Sequence, residues 1–244
     1  WSTDRLGRTT DREYDALGRL TKVTQPAAVE GGTRPTTVMQ YDAVGNLRLV
    51  YDPLQSAARS PTNRTEYEYD AFDRRTVVRS AAPGGTGGLA RPEVRTGYDA
   101  VGNVRTVTDP RGNVTRTDYN AQNLPTLVMQ PDPGAGPAGE AADHPPVLTA
   151  LTYDPAGNRI GEEVSSKSTS YWLWPTTVMN YKTTTQFDNL DRAYRVTDRV
   201  GLVTETRYFA DGLVESTTQA PGTPLARTTK YEYDGLQRTR LVSR

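Results

Sequence analysis

Short runs in which β-branched and polar residues alternate dominate the hydrophobic pattern of this 244-residue chain. Residues 104–108 read Val-Arg-Thr-Val-Thr, and residues 203–208 read Val-Thr-Glu-Thr-Arg-Tyr. A period of two in segments rich in Val and Thr is typical of β-strands. No long segment has an apolar stripe at the helical period. The pattern therefore predicts an all-β fold made of many short strands.

A recurring motif separates pairs of these runs: Tyr-Asp, two variable residues, Gly, and then Arg or Asn. Asp at the first position of a type I turn can accept a hydrogen bond from the backbone N–H two residues on. Gly supplies the left-handed conformation that sends the chain back antiparallel. We interpret these positions as structural residues of the repeat turn. In the clearest copies they are Tyr14, Asp15, Gly18, Tyr41, Asp42, Gly45, Tyr98, Asp99, Gly102, Tyr153, Asp154 and Gly157.

The motif recurs through the whole chain, with looser copies at Tyr69, Tyr119, Phe187, Tyr208 and Tyr233. Where nothing is inserted, one repeat has room for two strands of about five or six residues and two tight turns. One repeat is therefore one β-hairpin. Successive hairpins are expected to pair edge to edge in a continuous antiparallel sheet, so residues 1–244 are predicted to form a single repeat array.

A second turn signal lies between hairpins, as in residues 109–113, which read Asp-Pro-Arg-Gly-Asn. Extra material enters at this turn, and the repeat resumes in phase on either side, which is typical of surface loops. These insertions lie at about 26–35, 81–92, 131–146 and 162–185.

The insertion at 162–185 is unusual because it contains Tyr171, Trp172 and Trp174. Two interpretations are open. The segment could pack against the sheet and form a local core that a thin sheet lacks. It could instead present an aromatic patch that contacts a glycan, a lipid surface or a protein partner.

The composition favours a thin sheet and excludes several function classes. Only 35% of the residues are hydrophobic, which fits a sheet with both faces largely in contact with water. The 29 basic and 29 acidic residues cancel, so no electrostatic footprint for nucleic acid is present. The chain has no cysteine for disulfides or thiolate metal sites. No apolar run reaches the roughly 20 residues of a membrane-spanning helix.

The sequence gives little indication of catalytic residues. His144 is the only histidine, so it has no second imidazole for a metal site. The repeated Asp residues occupy identical positions, whereas paired catalytic carboxylates need different environments. Gly84 to Gly88 is not followed by the Lys-Ser/Thr of a phosphate-binding loop. The repeated Tyr residues could stack on sugars, but cross-strand packing is the favoured interpretation. We predict no catalytic, cofactor-binding or metal-binding residues.

The Tyr-Asp-x-x-Gly-Arg core resembles the YD-repeat (RHS-repeat) family, from Asp4 to Arg240. That family includes bacterial Rhs polymorphic toxins, the B and C components of Tc insecticidal toxins, and teneurins. The resemblance implies that the repeats spiral into a hollow β-shell, which in bacterial members encloses a C-terminal toxin polypeptide. Asp154 to Gly157 matches the start of the family's autoproteolytic Asp-Pro-x-Gly-Leu motif. However, Asn158 follows and the position is in phase with the repeat, so we interpret it as a turn.

By this resemblance the chain is expected to be a wall segment of a shell that sequesters a toxin or other cargo polypeptide. Its expected partners are that cargo and the remaining shell repeats of a longer parent protein, secreted or at the bacterial cell surface. The alternative is a cell-surface or carbohydrate-binding adhesion module that uses the aromatic insertion and the exposed turns. Exposed strand edges would also allow self-association.

Overall fold

The protein is described here by a computed structural model that covers residues 1–5, 7–29, 31–52, 64–83, 90–131, 146–167 and 178–243. These ranges contain 19 β-strands and no helix. Every described strand pair is antiparallel. The prediction of an all-β fold built from tandem hairpins is confirmed.

The residues group into two compact units, and the first runs from Trp1 to Asn113. In this unit each strand pairs with the strands before and after it in the chain. Its strands are β1 (Ser2–Thr3), β2 (Thr9–Tyr14), β3 (Leu20–Thr24), β4 (Thr36–Tyr41), β5 (Leu47–Tyr51), β6 (Arg64–Tyr69), β7 (Arg75–Arg79), β8 (Glu93–Tyr98) and β9 (Val104–Thr108).

The second unit runs from Val114 to Arg244 and has the same sequential pairing. Its strands are β10 (Val114–Tyr119), β11 (Pro125–Gln130), β12 (Val147–Tyr153), β13 (Arg159–Lys167), β14 (Val178–Phe187), β15 (Ala193–Thr197), β16 (Val203–Tyr208), β17 (Val214–Gln219), β18 (Arg227–Tyr233) and β19 (Thr239–Ser243).

The Tyr-Asp motifs form the turns within hairpins, which we call the YD turns. In the first unit they join β2 to β3, β4 to β5, β6 to β7 and β8 to β9. Because consecutive strands alternate in direction, these turns all lie at the same end of the strands in that unit. The turns between hairpins lie at the opposite end. The register of each hairpin shifts by one residue at the Tyr, as between Glu13 and Tyr14. This shift is a β-bulge, which increases the local twist of the pair.

The described sheet has almost no buried core. Its buried hydrophobic residues are Tyr51, Val77 and Ala82, and its buried polar residue is Ser216. None of the described large side chains is completely buried. The sheet is therefore held by backbone hydrogen bonds and cross-strand side-chain contacts, as expected of the thin sheet inferred from composition.

The strands extend into one predicted insertion. Both ends of 162–185 are strand, because β13 continues to Lys167 and β14 begins at Val178, with the two paired along their length. The predicted insertion at 162–185 therefore begins and ends in strand, and its bounds stay a prediction. Tyr171, Trp172, Trp174, His144 and Gly84 to Gly88 lie outside the described residues, so predictions about them stay predictions.

Candidate functional site

The Asp of each YD turn is bonded to its own turn. The Oδ1 atom of Asp15 accepts hydrogen bonds from the backbone N–H of Leu17 at 3.0 Å and of Arg19 at 2.9 Å. The Asp15 N–H in turn donates to the Arg19 carbonyl at 3.0 Å, and Gly18 has φ of 75°. These backbone bonds, chiefly that from Arg19, lower the pKa of Asp15. The repeated carboxylates therefore organise the turn and are ionised at neutral pH.

The other predicted turn residues have the same geometry. Asp42 and Asp99 each accept N–H bonds from the residues two, three and four positions further on. Asp154 accepts the N–H of Asn158 at 2.8 Å. The glycines at 45, 102 and 157 have φ of 109°, 102° and 93°, respectively.

In several repeats a residue with a side chain occupies the Gly position and still has a left-handed backbone. These residues are Asp73, Asn123, Asp191 and Gln237, with φ between 56° and 60°. Two of them receive a hydrogen bond from the turn before. The Asn46 side-chain amide donates to Asp73 at 2.7 Å, and that of Asn158 donates to Asp191 at 2.8 Å. Consecutive YD turns are thus in direct contact.

The Arg that ends many motifs connects one hairpin to the next. The Arg19 guanidinium lies 4.7 Å from the centre of the Tyr41 ring and donates to the Asp42 carbonyl at 3.5 Å. The Arg74 guanidinium likewise lies 4.5 Å from the centre of the Tyr98 ring. Such cation–π contacts stabilise by roughly 0.5–1 kcal/mol at exposed sites. The terminal Arg therefore contributes to the joint between repeats.

The repeated Tyr forms the second half of that joint. Its phenol donates a hydrogen bond of 2.8 to 3.0 Å to a backbone carbonyl at or just before the start of the return strand of the preceding hairpin. This hydrogen bond gives a physical reason for Tyr to recur where Phe would pack equally well. The pairs are Tyr41–Leu20, Tyr69–Leu47, Tyr98–Arg75, Tyr153–Pro125, Tyr208–Ala193 and Tyr233–Val214.

The predictions from sequence missed a contact at the opposite end of the strands, where the turns between hairpins lie. Arg34, just before β4, pairs with the Asp11 carboxylate at 2.7 Å. Its remaining N–H groups donate to the carbonyls of Thr9 at 2.8 Å, Thr24 at 3.2 Å and Gln25 at 3.0 Å. One guanidinium therefore ties β2, β3 and the loop that follows β3 together.

Arg91, just before β8, makes the equivalent set of contacts. It pairs with the Glu66 carboxylate at 2.9 Å. It donates to the carbonyls of Arg64 at 2.6 Å, Arg79 at 3.1 Å and Ser80 at 3.0 Å. We call Arg34 and Arg91 the clamp arginines.

A sequence signal for the clamp arginines exists. Each is followed by proline, and each lies seven residues before a motif Tyr, Tyr41 or Tyr98. The carbonyls of Pro35 and Pro92 accept N–H bonds of 2.8 Å from Gln25 and Ser80, respectively, which closes the base of each loop. A search for Arg-Pro at a fixed distance from Tyr-Asp would have found both.

Glu66 lies at the centre of a charge network. Its side chain is only 16% exposed and contacts Arg64 at 2.7 Å, Arg79 at 2.9 Å and Arg91 at 2.9 Å. Partial burial raises the pKa of Glu66, but hydrogen bonds from Arg91, Arg64 and Arg79 outweigh it and lower the pKa to about 2. Arg79 continues the network to Glu93.

The described residues offer little for catalysis. They contain no group of three His, Asp or Glu side chains placed to hold a metal ion. A groove of about 610 Å³ lies along β17 and β18, and Thr217, Gln219, Arg227, Thr229 and Tyr231 line it. These side chains can bind polar groups, but they do not form the acid–base pair that hydrolysis needs. Among all the residues that the structure describes, no helix is long and apolar enough to cross a membrane.

Comparison with known proteins agrees with the hairpin repeats. The family model of the RHS Repeat matches residues 2–30 and 98–132. No curated protein sequence matches this chain. The crystal structure of TcdB2-TccC3 without its hypervariable C-terminal region is similar over 96% of this chain and 13% of that one, with a TM-score of 0.57 and 16% identity.

A structure of the Photorhabdus luminescens Tc holotoxin pore is similar over 97% of this chain and 14% of that one, with a TM-score of 0.54 and 16% identity. At this identity the likeness shows the fold. The fold and its turns define a tandem β-hairpin repeat protein. The RHS Repeat match at residues 2–30 and 98–132, together with this fold, confirms the resemblance to RHS-repeat, or YD-repeat, proteins inferred from the sequence. The chain spans about one seventh of the length of these similar chains.

Proposed function

We propose that this chain is a wall segment of an RHS-repeat shell that encloses and sequesters a toxin or other cargo polypeptide. The cargo and the remaining shell repeats are its proposed partners. The parent protein is proposed to be a secreted bacterial toxin component. The segment itself performs no catalysis.

The observation that carries the proposal is that the repeated side chains make their contacts within the sheet. Asp15 completes its own turn, while Arg19 and Tyr41 join one hairpin to the next. Each of these groups is engaged within the sheet, so it serves wall continuity and is not free for a ligand. A structural role accounts for the repetition better than a row of binding sites does.

The shortage of core supports the same proposal. A sheet with so few buried hydrophobic residues gains little free energy from burying apolar surface in a compact core. Its strands are linked by ladders of backbone hydrogen bonds, which can continue indefinitely as hairpins are added. The structural likeness to TcdB2-TccC3 supports extension of such a sheet to a larger assembly.

The adhesion alternative depends on the aromatic insertion, whose Tyr171, Trp172 and Trp174 lie outside the described residues, and on the exposed turns. It stays a prediction from sequence.

Limited proteolysis of the full-length gene product tests the wall role. We expect a polypeptide that is distinct from the RHS repeats to co-purify with them and to resist protease while the repeats are folded. Changing both clamp arginines to lysine should expose that polypeptide at lower urea concentrations than in the wild type. Arg95→Lys is the matched control, because Arg95 is 59% exposed and pairs at the surface. If all non-repeat sequence is cleaved at once in the native wild type, the wall role is wrong.

A further inference from the structure

The turn between β16 and β17 departs from the YD motif. Residues 208–212 read Tyr-Phe-Ala-Asp-Gly, so Phe209 takes the place of the motif Asp, and the carboxylate of Asp211 lies two positions later. Two backbone bonds close the turn. The Phe209 N–H donates to the Leu213 carbonyl at 2.8 Å, and the Gly212 N–H donates to the Phe209 carbonyl at 3.0 Å. Because Phe209 has no side-chain oxygen, this turn lacks the support that a first-position Asp gives.

The Asp211 carboxylate is loosely held. Asp211 and Gly212 are both exposed. Among the described residues, the Asp211 side chain accepts a hydrogen bond from the Leu213 N–H at 3.1 Å, and no ion pair fixes it. The carboxyl group can therefore turn towards the backbone nitrogen of Gly212.

An Asp followed by Gly can rearrange without an enzyme, because Gly has no side chain beside its nitrogen to obstruct attack. The Gly nitrogen attacks Cγ of the protonated Asp side chain. An N–C bond forms, and the carboxyl C–O bond breaks, so that the hydroxyl group leaves with the amide proton as water. The product is a five-membered succinimide. Water then opens either carbonyl of this ring, which restores Asp or gives isoaspartate.

The chain contains a second Asp-Gly pair with the same residue after it. Residues 211–212 and 234–235 are both followed by Leu, so their intrinsic reactivities are matched. Asp234, however, is the first residue of a regular YD turn. Its Oδ1 atom accepts the N–H groups of Leu236 and Arg238, both at 2.9 Å, and its Oδ2 atom pairs with the Arg238 guanidinium at 2.7 Å. These contacts, chiefly the side-chain bond from Arg238, lower the pKa of Asp234, so the protonated acid is scarce there.

The nitrogen of Gly212 must leave the Phe209 carbonyl before it can attack. That carbonyl also accepts a bond from the Arg192 guanidinium at 3.3 Å, so it keeps a partner when the turn opens. An exposed turn of this kind can open locally while the strands stay paired. The nitrogen of Gly235 makes no such bond in the described part of the chain. Protection at that site therefore depends on how the Asp234 carboxylate is held.

We propose that Asp211 is a site of spontaneous isoaspartate formation in the folded chain, and that the contacts of Asp234 protect the second Asp-Gly pair. In isoaspartate the main chain runs through the side-chain carbon and is one carbon longer. A tight turn cannot accommodate that extra atom, so the modified turn loses its Phe209–Leu213 bond. The modification loosens one hairpin without cutting the chain, and it does not depend on the proposed wall role.

Incubation of the folded chain at mildly acidic pH tests the proposal. A protein isoaspartate methyltransferase detects isoaspartate, and mass spectrometry of peptides assigns it to Asp211 or Asp234. We expect isoaspartate to accumulate about tenfold faster at Asp211, because this residue lacks the bonds that hold Asp234. In the urea-unfolded chain the two rates should agree within about twofold, because the contacts of the folded turns are gone.

Two variants test whether the turn contacts set these rates. Phe209→Asp supplies the missing first-position carboxylate and should slow the reaction at Asp211 by about threefold or more. Arg238→Ala removes an ion pair whose arginine is 73% exposed, and should speed the reaction at Asp234 by about threefold or more. Circular dichroism should show both variants folded. Equal rates at the two sites of the folded wild type, or an unchanged rate at Asp234 in Arg238→Ala, would overturn the proposal.

Discussion

At the scale of single residues, the backbone conformation of the YD turn determines which side chains the motif accepts. Gly18 has φ of 75°, and a methyl group added there would meet no atom within 4 Å. Its requirement is therefore conformational and not steric. Asp73 and Gln237 adopt the same conformation with side chains, at the cost of local strain.

Substitution at Gly18 separates backbone strain from packing. We expect Gly18→Ala to lower the free energy of unfolding by about 1–2 kcal/mol, because Ala disfavours positive φ. Gly235 is the control, since it lies in an equally open turn position but without positive φ. Gly235→Ala should be neutral or stabilising by up to about 1 kcal/mol. Urea unfolding of the two variants measures both effects, and equal effects would contradict this explanation.

Removal of one phenol hydroxyl tests the joint between hairpins. Tyr69→Phe should destabilise the chain by about 1 kcal/mol, because the Leu47 carbonyl loses its 2.8 Å hydrogen bond from the phenol. Tyr14, which is 58% exposed, provides the control, and Tyr14→Phe should change stability little. Thermal unfolding followed by circular dichroism measures both. A larger loss at Tyr14 would show that the phenol bond is not what holds the repeat.

At the scale of the elements, the turn and strand chemistry could be predicted from the sequence. The Arg-Pro spacing marks the positions of the clamp arginines but does not identify the groups that they contact. Asp15 and Gly18 act within a few residues of themselves, so local pattern was sufficient. Arg34 contacts Thr9, which is 25 positions earlier in the chain. Such a contact depends on the register of β2 to β4, which no short motif encodes.

The clamp arginines should be more sensitive to substitution than surface arginines. Arg91→Lys should lower the free energy of unfolding by about 2–4 kcal/mol. An ammonium group cannot reach the carbonyls of Arg64, Arg79 and Ser80 together with a carboxylate. Arg95→Lys should cost about 0–1 kcal/mol, as surface pairs usually do. Chemical denaturation measures the free energy of unfolding of both variants. Equal losses would show that Arg91 does not act as a clamp.

The Glu66 network makes stability depend on pH. The pKa of Glu66 is about 2 in the folded chain and near 4.5 when unpaired. Its contribution is therefore fully present above pH 4.5 and is lost as the pH falls towards 2. We expect the urea midpoint to fall over this interval, with Glu66 contributing on the order of 2 kcal/mol.

The Glu66→Gln variant shows which group causes that dependence. Gln cannot ionise, so the variant should start less stable at pH 7 and lose less on acidification than the wild type. An unchanged slope between pH 4.5 and 2 would assign the dependence to the turn carboxylates instead. The pKa values of Asp70 and Asp188, for example, are lowered chiefly by side-chain hydrogen bonds from Arg74 and Arg192.

At the scale of the whole molecule, the repeat is evidence about architecture, and the proposed function is argued from that architecture. The resemblance to YD-repeat proteins, the family match and the fold agree. The sequence also predicts which residues form the turns. It could not show which side chains join neighbouring hairpins, because Tyr41 and Arg19 belong to different motifs and meet only in the sheet.

Electron cryomicroscopy of the full-length gene product tests the central claim most directly. We expect residues 1–244 to form part of a closed β wall around density that the RHS repeats do not explain. A structure in which both faces of this sheet are open to solvent, with no polypeptide enclosed, would contradict it.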